Sequence, residues 1–262
     1  SWLVDADCGK GRATLTRNNR ESIIDFDYLV LGTDPLTAAR LVGDGDGVAT
    51  IGKQKFRGSS GKLNMMFRSP VRWKHGSGNA ASDAAFRFIF SVDDIEAYER
   101  ATLDVLNAAN DYIPGYAQIY CEGAGMRKLA HVEPFDRLAV FFKNLSLSNK
   151  GANLAHVEAQ VKETILDKIE NPEDCVWTRL LTPKDLMDLF LFPGGNLDHT
   201  MLTGGQTFFD RNYSDDPDTG FYRFGDLDNV YLCGSGTYPC GSVAGTPGYM
   251  CSQQLLRDVS NE

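Results

Sequence analysis

The sequence predicts an α+β fold, in which a mixed sheet with helices is followed by a C-terminal strand–loop–helix unit. Three observations predict it: β-type alternation in the middle of the chain, apolar residues at helical spacing in the same region, and a short apolar strand before a glycine-rich loop near the end. The segments are strands at 62–67, 85–90, 116–121, 138–143 and 230–233, and helices at 93–109, 154–169 and 249–259.

The first 45 residues alternate short β-prone segments with turns. Residues 12–17 are β-prone, and the nearly continuous apolar run at 22–32 predicts a core strand that is buried on both faces. Thr33 or Asp34 is suited to cap a helix over 36–42, with Pro35 at its first position. The pattern therefore predicts a strand that leads directly into a helix.

Two changes in composition suggest boundaries along the chain. Residues 44–60 are rich in Gly, Asp, Ser and Lys, which predicts a connecting segment. A short helix over 183–191, opened by Thr182 and Pro183, is interrupted by Phe-Pro-Gly-Gly-Asn. We therefore expect three regions: 1–45, 46–192 and 193–262.

Composition and charge exclude several classes of function. The 262 residues are 42% hydrophobic and 23% charged, which is ordinary for a globular protein. The net charge of −9 and the lack of a Lys/Arg cluster argue against a nucleic-acid partner. No apolar run reaches the roughly 18 to 20 residues of a transmembrane segment, and no signal-peptide pattern opens the sequence, so we expect a cytoplasmic protein.

A metal site is not expected. The six cysteines form no C-x-x-C pair, and the four histidines include no pair at ligand spacing on a helix. A metal-dependent hydrolase built on His131, Glu133 and Asp136 is an alternative, but their spacing does not suit one helix face.

The residues after the last strand predict a site for an anionic group. The loop from Gly234 to Gly248 contains five glycines, with Thr246 as a cap for the final helix and Pro247 in its first turn. Glycines let a backbone approach a ligand closely, and backbone N–H groups and a helix N-terminus favour negative charge. The distance from strand to helix is too long for the dinucleotide motif G-x-G-x-x-G. A purely structural glycine-rich connection remains an alternative at this point.

The amino-acid sequence of this loop resembles that of a known family. Leu232-Cys-Gly-Ser-Gly-Thr-Tyr-Pro-Cys-Gly-Ser-Val-Ala-Gly-Thr-Pro-Gly resembles the C-terminal flavin motif of phytoene desaturase-like FAD oxidoreductases. The match is to the branch called pyridine nucleotide-disulphide oxidoreductase domain-containing protein 2, whose pattern is L-C-G-(S/A)-G-T-H-P-G-G-G-V-x-G-A-P-G. Leu181-Thr-Pro-Lys-Asp-Leu, Gly194-Gly-Asn-Leu-Asp-His and Phe26-Asp-Tyr-Leu-Val-Leu-Gly-Thr-Asp-Pro resemble the family's T-P-x-D-L-E, G-G-N-I-F-H-G and A-D-x-V-V-x-N-x-x-P.

The resemblance implies a fold, a cofactor and a reaction. The parent would be α/β overall, with a remnant of a Rossmann-like FAD domain at 1–45, a substrate-binding domain at 46–192 and an FAD-contact segment at 193–262. A dehydrogenase or desaturase of this kind moves a hydride from a substrate C–H bond to flavin N5, here on an apolar small molecule. The implied FAD-binding residues are Gly234, Ser235, Gly236, Gly241, Val243, Ala244, Gly245, Pro247 and Gly248. The implied substrate-cavity residues are Gly194, Gly195, Asn196 and His199, and no catalytic residue can be named.

The sequence departs from the family in two ways. Tyr238 stands where the family has His, and Cys240-Gly241-Ser242 replaces three glycines. The strand, G-x-G-x-x-G and helix that hold the ADP half of FAD are not found near the start. We therefore expect a C-terminal portion that is inactive alone, binds FAD weakly if at all, and needs an N-terminal FAD domain in cis or as a separate chain. A homodimer is compatible with the sequence, and the alternative function is a non-catalytic binding or assembly module that keeps the fold but not the cofactor.

Overall fold

The computed structural model of the protein describes residues 1–76, 78–90, 93–106, 116–130, 134–145, 153–240 and 245–261. They confirm the α+β class and form two compact units, one made of Ser1–Arg57 with Asn196–Glu262 and the other of Gly58–Gly195. The strands, in chain order, are β1 (Trp2–Asp7), β2 (Arg12–Arg17), β3 (Arg20–Asp25), β4 (Leu29–Leu31), β5 (Gly61–Phe67), β6 (Arg87–Phe90), β7 (Tyr116–Tyr120), β8 (Asp136–Phe142), β9 (Cys175–Leu181), β10 (Arg223–Phe224) and β11 (Leu227–Leu232). The helices are α1 (Pro35–Leu41), α2 (Gly45–Ile51), α3 (Ala80–Asp83), α4 (Ile95–Leu106), α5 (Glu122–Lys128), α6 (Leu154–Leu166), α7 (Pro183–Phe190) and α8 (Thr246–Asn261).

The unit Gly58–Gly195 is built on an antiparallel sheet in the order β6–β7–β8–β5–β9. Every pairing described in this sheet is antiparallel, whereas the sequence led us to expect a mixed sheet in this region. Antiparallel neighbours need no helical crossover, so helices in this unit are free to cover one face. Among the described residues, the mixed pairing lies in the other unit.

Helix α6 covers one face of the antiparallel sheet. Val157, Val161 and Ile165, spaced four residues apart, are buried together with the alternating residues Leu63 and Met65 of β5. The two periodicities read from the sequence therefore meet in one core. Helices α4 and α7 also lie where they were predicted, although residues 107–109 of the first prediction fall outside the described residues.

The unit of Ser1–Arg57 and Asn196–Glu262 contains two small sheets. Strands β1, β2 and β3 form an antiparallel meander, and β10, β11 and β4 form a mixed sheet. Its core includes Leu31, Val230 and Leu232 from the mixed sheet, packed against Ala38 and Ala39 of α1. Within the described residues, no helix is both long enough and apolar enough to cross a bilayer.

The prediction of one buried strand over 22–32 was wrong. The run is divided into β3, which is exposed along its length, and β4, in which Val30 is 45% exposed. The charged residues Asp25 and Asp27 interrupt the apolar run, and β3 pairs with β2 in a separate sheet.

The start of α1 was predicted correctly. The Asp34 carboxylate accepts a hydrogen bond from the Thr37 N–H at 2.9 Å, and Pro35 occupies the first turn. Helix α2, in contrast, was not predicted, because its glycines lower helix propensity. It forms because Asp44 caps the Gly47 N–H at 2.8 Å and Ile51 is buried.

Candidate functional site

The parallel strands β4 and β11 bring two distant segments together at one edge of their sheet. Leu31 pairs with Leu232, and the Cys233 N–H donates to the Leu31 carbonyl at 2.9 Å. Because the strands run in the same direction, the loops that follow them leave from the same edge. In open α/β sheets this edge, beyond the carboxyl ends of the strands, is where ligands bind.

Two glycines are required because these loops touch. A Cβ on Gly234 would lie 2.7 Å from the Gly32 carbonyl oxygen and 2.8 Å from that of Thr33. A Cβ on Gly236 would lie 2.7 Å from Pro35 Cδ and 3.3 Å from His199 Cβ. These glycines therefore have a packing role in addition to the ligand-approach role that the sequence suggested.

A cavity of about 420 Å³ opens between these loops and the start of α8. No carboxylate lines it among the described residues. Six of the residues implied by the family resemblance meet there, together with two that the sequence analysis had not assigned to a site. The lining residues are Gly32, His199, Cys233, Gly234, Ser235, Gly245, Pro247 and Gly248.

The glycine loop at this cavity carries three successive backbone donors. The N–H groups of Gly234, Ser235 and Gly236 make no hydrogen bond to another described residue. The loop is closed instead by Thr237, whose N–H and Oγ1 donate to the Gly234 carbonyl at 3.1 and 2.8 Å. Successive backbone N–H groups that face one concavity can bind an anion.

The N-terminus of α8 forms another part of the cavity wall. The helix begins at Thr246, which agrees with the prediction of Pro247 in its first turn but is earlier than the predicted range 249–259; Gly248 also lies in this turn. Gly245 has a φ of 70°, so a residue without a side chain is favoured just before the helix. The partial positive charge of a helix N-terminus favours an anion at this wall.

His199 is held at the cavity by its own loop. His199 is only 9% exposed, and its backbone N–H donates to the Asn196 carbonyl at 3.1 Å. Burial lowers the pKa of His199; Asp34 and Asp198 oppose this shift, and Arg211 adds to it. The imidazole is therefore neutral at pH 7, with one N–H donor and one acceptor nitrogen.

Sequence reasoning missed Arg211, which is 1% exposed. Its Nε donates to the Gln206 carbonyl at 3.0 Å and its Nη2 to the Thr200 carbonyl at 2.9 Å. Its Nη1 donates to the carbonyls of Asp198 at 3.1 Å and Ser235 at 2.8 Å. This guanidinium therefore ties the loop that carries His199 to the glycine loop.

Tyr238, which replaces the family's histidine, packs against aromatic rings. Its ring stacks on Phe209 with centroids 4.6 Å apart and an interplanar angle of 16°, and contacts Phe221 edge-on at 5.6 Å. Its N–H donates to the Arg211 carbonyl at 3.1 Å. The substitution thus has a packing explanation.

The remaining implied site residues have different positions. Gly241, Val243 and Ala244 lie outside the described residues. Gly194 and Gly195 belong to the unit Gly58–Gly195 and have φ values of 59° and 67°. The Gly194 carbonyl accepts the Gly58 N–H at 2.8 Å, and Gly195 packs against the Pro183 carbonyl.

The described residues contain no group of three or more His, Cys, Asp or Glu side chains that could hold a metal ion. Of the alternative hydrolase set, His131 and Glu133 lie outside those residues. Asp136 is buried, pairs with Arg127 at 3.0 Å and accepts the Val71 N–H at 2.7 Å. Its carboxylate therefore has structural partners within the antiparallel unit.

Several solved structures share a distant and partial likeness with the chain. Reduced UDP-galactopyranose mutase has a TM-score of 0.41 and 13% identity, covering 69% of this chain and 33% of that one. An oxidoreductase from Methanosarcina mazei has a TM-score of 0.43 and 10% identity, covering 97% and 47%. Cyclohexylamine oxidase from Brevibacterium oxydans has a TM-score of 0.46 and 11% identity, covering 96% and 47%.

The sequence comparisons bear on the family resemblance directly. No protein-family model matches the chain. An 82-residue segment is 38% identical to pyridine nucleotide-disulfide oxidoreductase domain-containing protein 2 of Mus musculus and of Rattus norvegicus. This match spans 31% of the chain but only 13% of each relative's length. The resemblance stated in the sequence analysis is therefore confirmed as a partial similarity to these oxidoreductase-domain proteins.

Proposed function

We propose that the chain forms the C-terminal, cofactor-contacting portion of an FAD-dependent oxidoreductase. The observation that carries this proposal is the cavity at the ends of β4 and β11. It combines consecutive backbone N–H groups, the N-terminus of α8 and a wall without a carboxylate in a protein whose net charge is −9. These are the features that an anionic group such as a diphosphate or a reduced flavin requires.

The residues present fit part of FAD. A cavity of about 420 Å³ is within the ordinary size range of a small-molecule site. Burial raises the pKa of the Cys233 thiol, so this side chain is uncharged and does not repel an anion. The approach of a flat cofactor is also helped by Gly32 and Gly234, which have no side chains at the wall.

Each residue of the wall has a role in the proposed site. Gly234, Ser235 and Gly236 offer backbone N–H groups to negative charge, and Gly241, Val243 and Ala244 remain proposed FAD contacts of the same motif. Gly245 lies just before α8, and Pro247 and Gly248 lie in its first turn. A bound flavin supplies hydride acceptance at N5, and the protein supplies orientation and charge around it. His199, neutral at pH 7, lies at the edge of this cavity.

An apolar substrate is supported by an aromatic face in the unit Gly58–Gly195. Phe86, Phe88 and Phe90 are 45%, 51% and 71% exposed and contact one another, with centroids 4.7 and 6.3 Å apart. Tyr120 continues the row, 4.8 Å from Phe86. Exposed aromatic rings arranged side by side favour a hydrophobic ligand, and we assign this unit to substrate binding. Gly194, Gly195 and Asn196 remain proposed substrate contacts.

Flavin binding by the purified protein tests the proposal. We expect a weak or undetectable visible flavin spectrum for the chain alone and a stoichiometric flavin once the G-x-G-x-x-G domain of a relative is added. The added domain supplies the grip on the ADP half of FAD. If no flavin is retained with that domain present, the oxidoreductase assignment fails and the non-catalytic module is favoured.

A further inference from the structure

Arg211 is a buried charge whose hydrogen bonds end on backbone carbonyls. Its partners are the carbonyls of Gln206, Asp198, Thr200 and Ser235, and within the described residues no carboxylate lies at ion-pair distance from it. Burying a guanidinium is costly unless its donors are satisfied, so an arginine here needs a reason beyond filling space. The planar fork of five N–H donors can join several carbonyls at fixed angles, which lysine cannot do.

The carbonyls that accept hydrogen bonds from Arg211 belong to the two loops of the candidate site. Asp198 and Thr200 flank His199, so the guanidinium holds the backbone on both sides of that residue. The Ser235 carbonyl points towards Arg211, and the Gly236 N–H of the same trans peptide therefore points away from it. One side chain thus fixes both the His199 loop and the orientation of a donor in the glycine loop.

A second arginine of the same unit provides a contrast. Arg223 forms ion pairs with Asp258 and Asp228, each at 3.0 Å, and is 25% exposed. Its partners are carboxylates on α8 and β11, and it does not line the cavity. Arg223 therefore serves as a matched control for the loss of a partly buried arginine.

We propose that Arg211 is a positioning residue of the candidate flavin site, which holds His199 and the peptide between Ser235 and Gly236 in the geometry that receives the cofactor. The cofactor part of this inference rests on the proposed function. The described side chains that line the cavity carry no positive charge at pH 7. The guanidinium of Arg211 places one next to it. Arg211 therefore contributes both geometry and charge, and two substitutions separate these contributions.

Arg211→Met removes the donors and the charge, whereas Arg211→Lys keeps the charge and loses the fork. We expect Arg211→Met to raise the pKa of His199, because a nearby positive charge is removed while Asp34 and Asp198 remain. Arg211→Lys should leave that pKa near the wild-type value. The pKa is read from the side-chain NMR signal of His199, assigned with a His199→Gln variant.

Cofactor affinity is measured by quenching of FAD fluorescence, with the G-x-G-x-x-G domain added. Both Arg211 variants should bind FAD at least about tenfold more weakly, since neither can join the same carbonyls. Arg223→Met should lower the melting temperature while changing FAD affinity less than about twofold. The proposal is overturned if Arg211→Met keeps the wild-type affinity and His199 pKa, or if affinity falls in Arg211→Met and Arg223→Met in proportion to stability alone. If Arg211→Met does not fold, the FAD affinity of Arg211→Lys alone tests the proposal, and an affinity equal to that of the wild type overturns it.

Two measurements distinguish a wrong cofactor assignment from a wrong role for Arg211. If wild-type protein binds no FAD with the added domain, the cofactor assignment is wrong. Exchange of the Met201 amide, which donates to the Lys55 carbonyl at 2.8 Å, then reports on the loop by itself. Faster exchange together with a raised His199 pKa in Arg211→Met supports the positioning of the loop, and unchanged values for both overturn it.

Discussion

The Cα of Gly234 faces the backbone of Gly32 so closely that a Cβ there would lie 2.7 Å from the Gly32 carbonyl oxygen. Backbone atoms on both sides leave no flexible side chain to move aside. We therefore expect Gly234→Ala to lower the free energy of unfolding by about 1–3 kcal/mol, as overpacking does.

Gly248→Ala is the matched control, because a Cβ on Gly248 would have no atom of the described residues within 4 Å outside its chain neighbours and the backbone of its own helix. Alanine in the first turn of α8 should be neutral or stabilising by up to about 1 kcal/mol. Chemical denaturation of both variants measures the difference. Equal stability of the two variants would show that the loops after β4 and β11 do not touch.

The carboxylate of Asp258 on α8 is the centre of a buried network. It accepts from Arg223 Nε at 3.0 Å and Tyr231 Oη at 2.7 Å on one oxygen, and from Gln254 Nε2 at 2.8 Å on the other. Asp258→Asn should cost about 1–3 kcal/mol, because a charge-assisted acceptor is lost. Asp228→Asn, at a carboxylate 89% exposed, should cost less than about 0.5 kcal/mol.

The contribution of Asp258 should depend on pH in a defined direction. Burial acts to raise its pKa, but the hydrogen bonds from Arg223, Tyr231 and Gln254 outweigh it and leave the pKa lowered. A carboxyl group with a lowered folded-state pKa stabilises the protein above its unfolded pKa of about 3.9, and the stabilisation is lost as pH falls through the folded value. Urea titrations at a series of pH values should show the wild-type advantage over Asp258→Asn shrinking below about pH 4. An advantage that grows towards acid pH would contradict this sign.

Ile165 on α6 anchors the core of the unit Gly58–Gly195. It is 0% exposed and packs among the buried residues of the antiparallel sheet. Ile165→Ala should destabilise this unit by about 2–5 kcal/mol, which combines lost burial with a residual cavity. Glu163→Ala, on the exposed side of the same helix, should change stability by less than about 0.5 kcal/mol. Tryptophan fluorescence of Trp73, which lies in this core, follows the transition.

Local patterns predicted much of the fold because their causes are local. Asp34 and Pro35 mark the start of α1 through a cap and a fixed φ, and the apolar stripe at Val157, Val161 and Ile165 marks the buried face of α6. The interruption between β3 and β4 was not predicted, because the apolar run dominates the local pattern even though Asp25 and Asp27 carry charges within it.

Contacts between distant segments left no such pattern. Arg211 is one arginine in an irregular segment, and its acceptors are carbonyls, which every residue possesses. Gly32 and Gly234 meet only because β4 and β11 pair in parallel, and no local rule gives that pairing. The glycine loop could therefore be predicted as a site from its composition, whereas the residues that shape it could not.

Gly248 allows the anion preference of the cavity to be tested separately from stability. It lies in the first turn of α8, lines the cavity and, among the described residues, has space for a side chain. A glutamate there should stabilise the helix by about 0.3–1 kcal/mol relative to glutamine, because its charge meets the positive end of the helix dipole. The same charge should repel an anionic ligand. We expect Gly248→Glu to melt at or above the temperature of Gly248→Gln and to bind FAD more weakly, by roughly fivefold at low salt and less at high salt. Affinity is measured by quenching of FAD fluorescence with the G-x-G-x-x-G domain present. Equal affinities of the two variants at low salt would show that no negative charge of the cofactor lies near this turn, because only a charged ligand distinguishes glutamate from its neutral isostere.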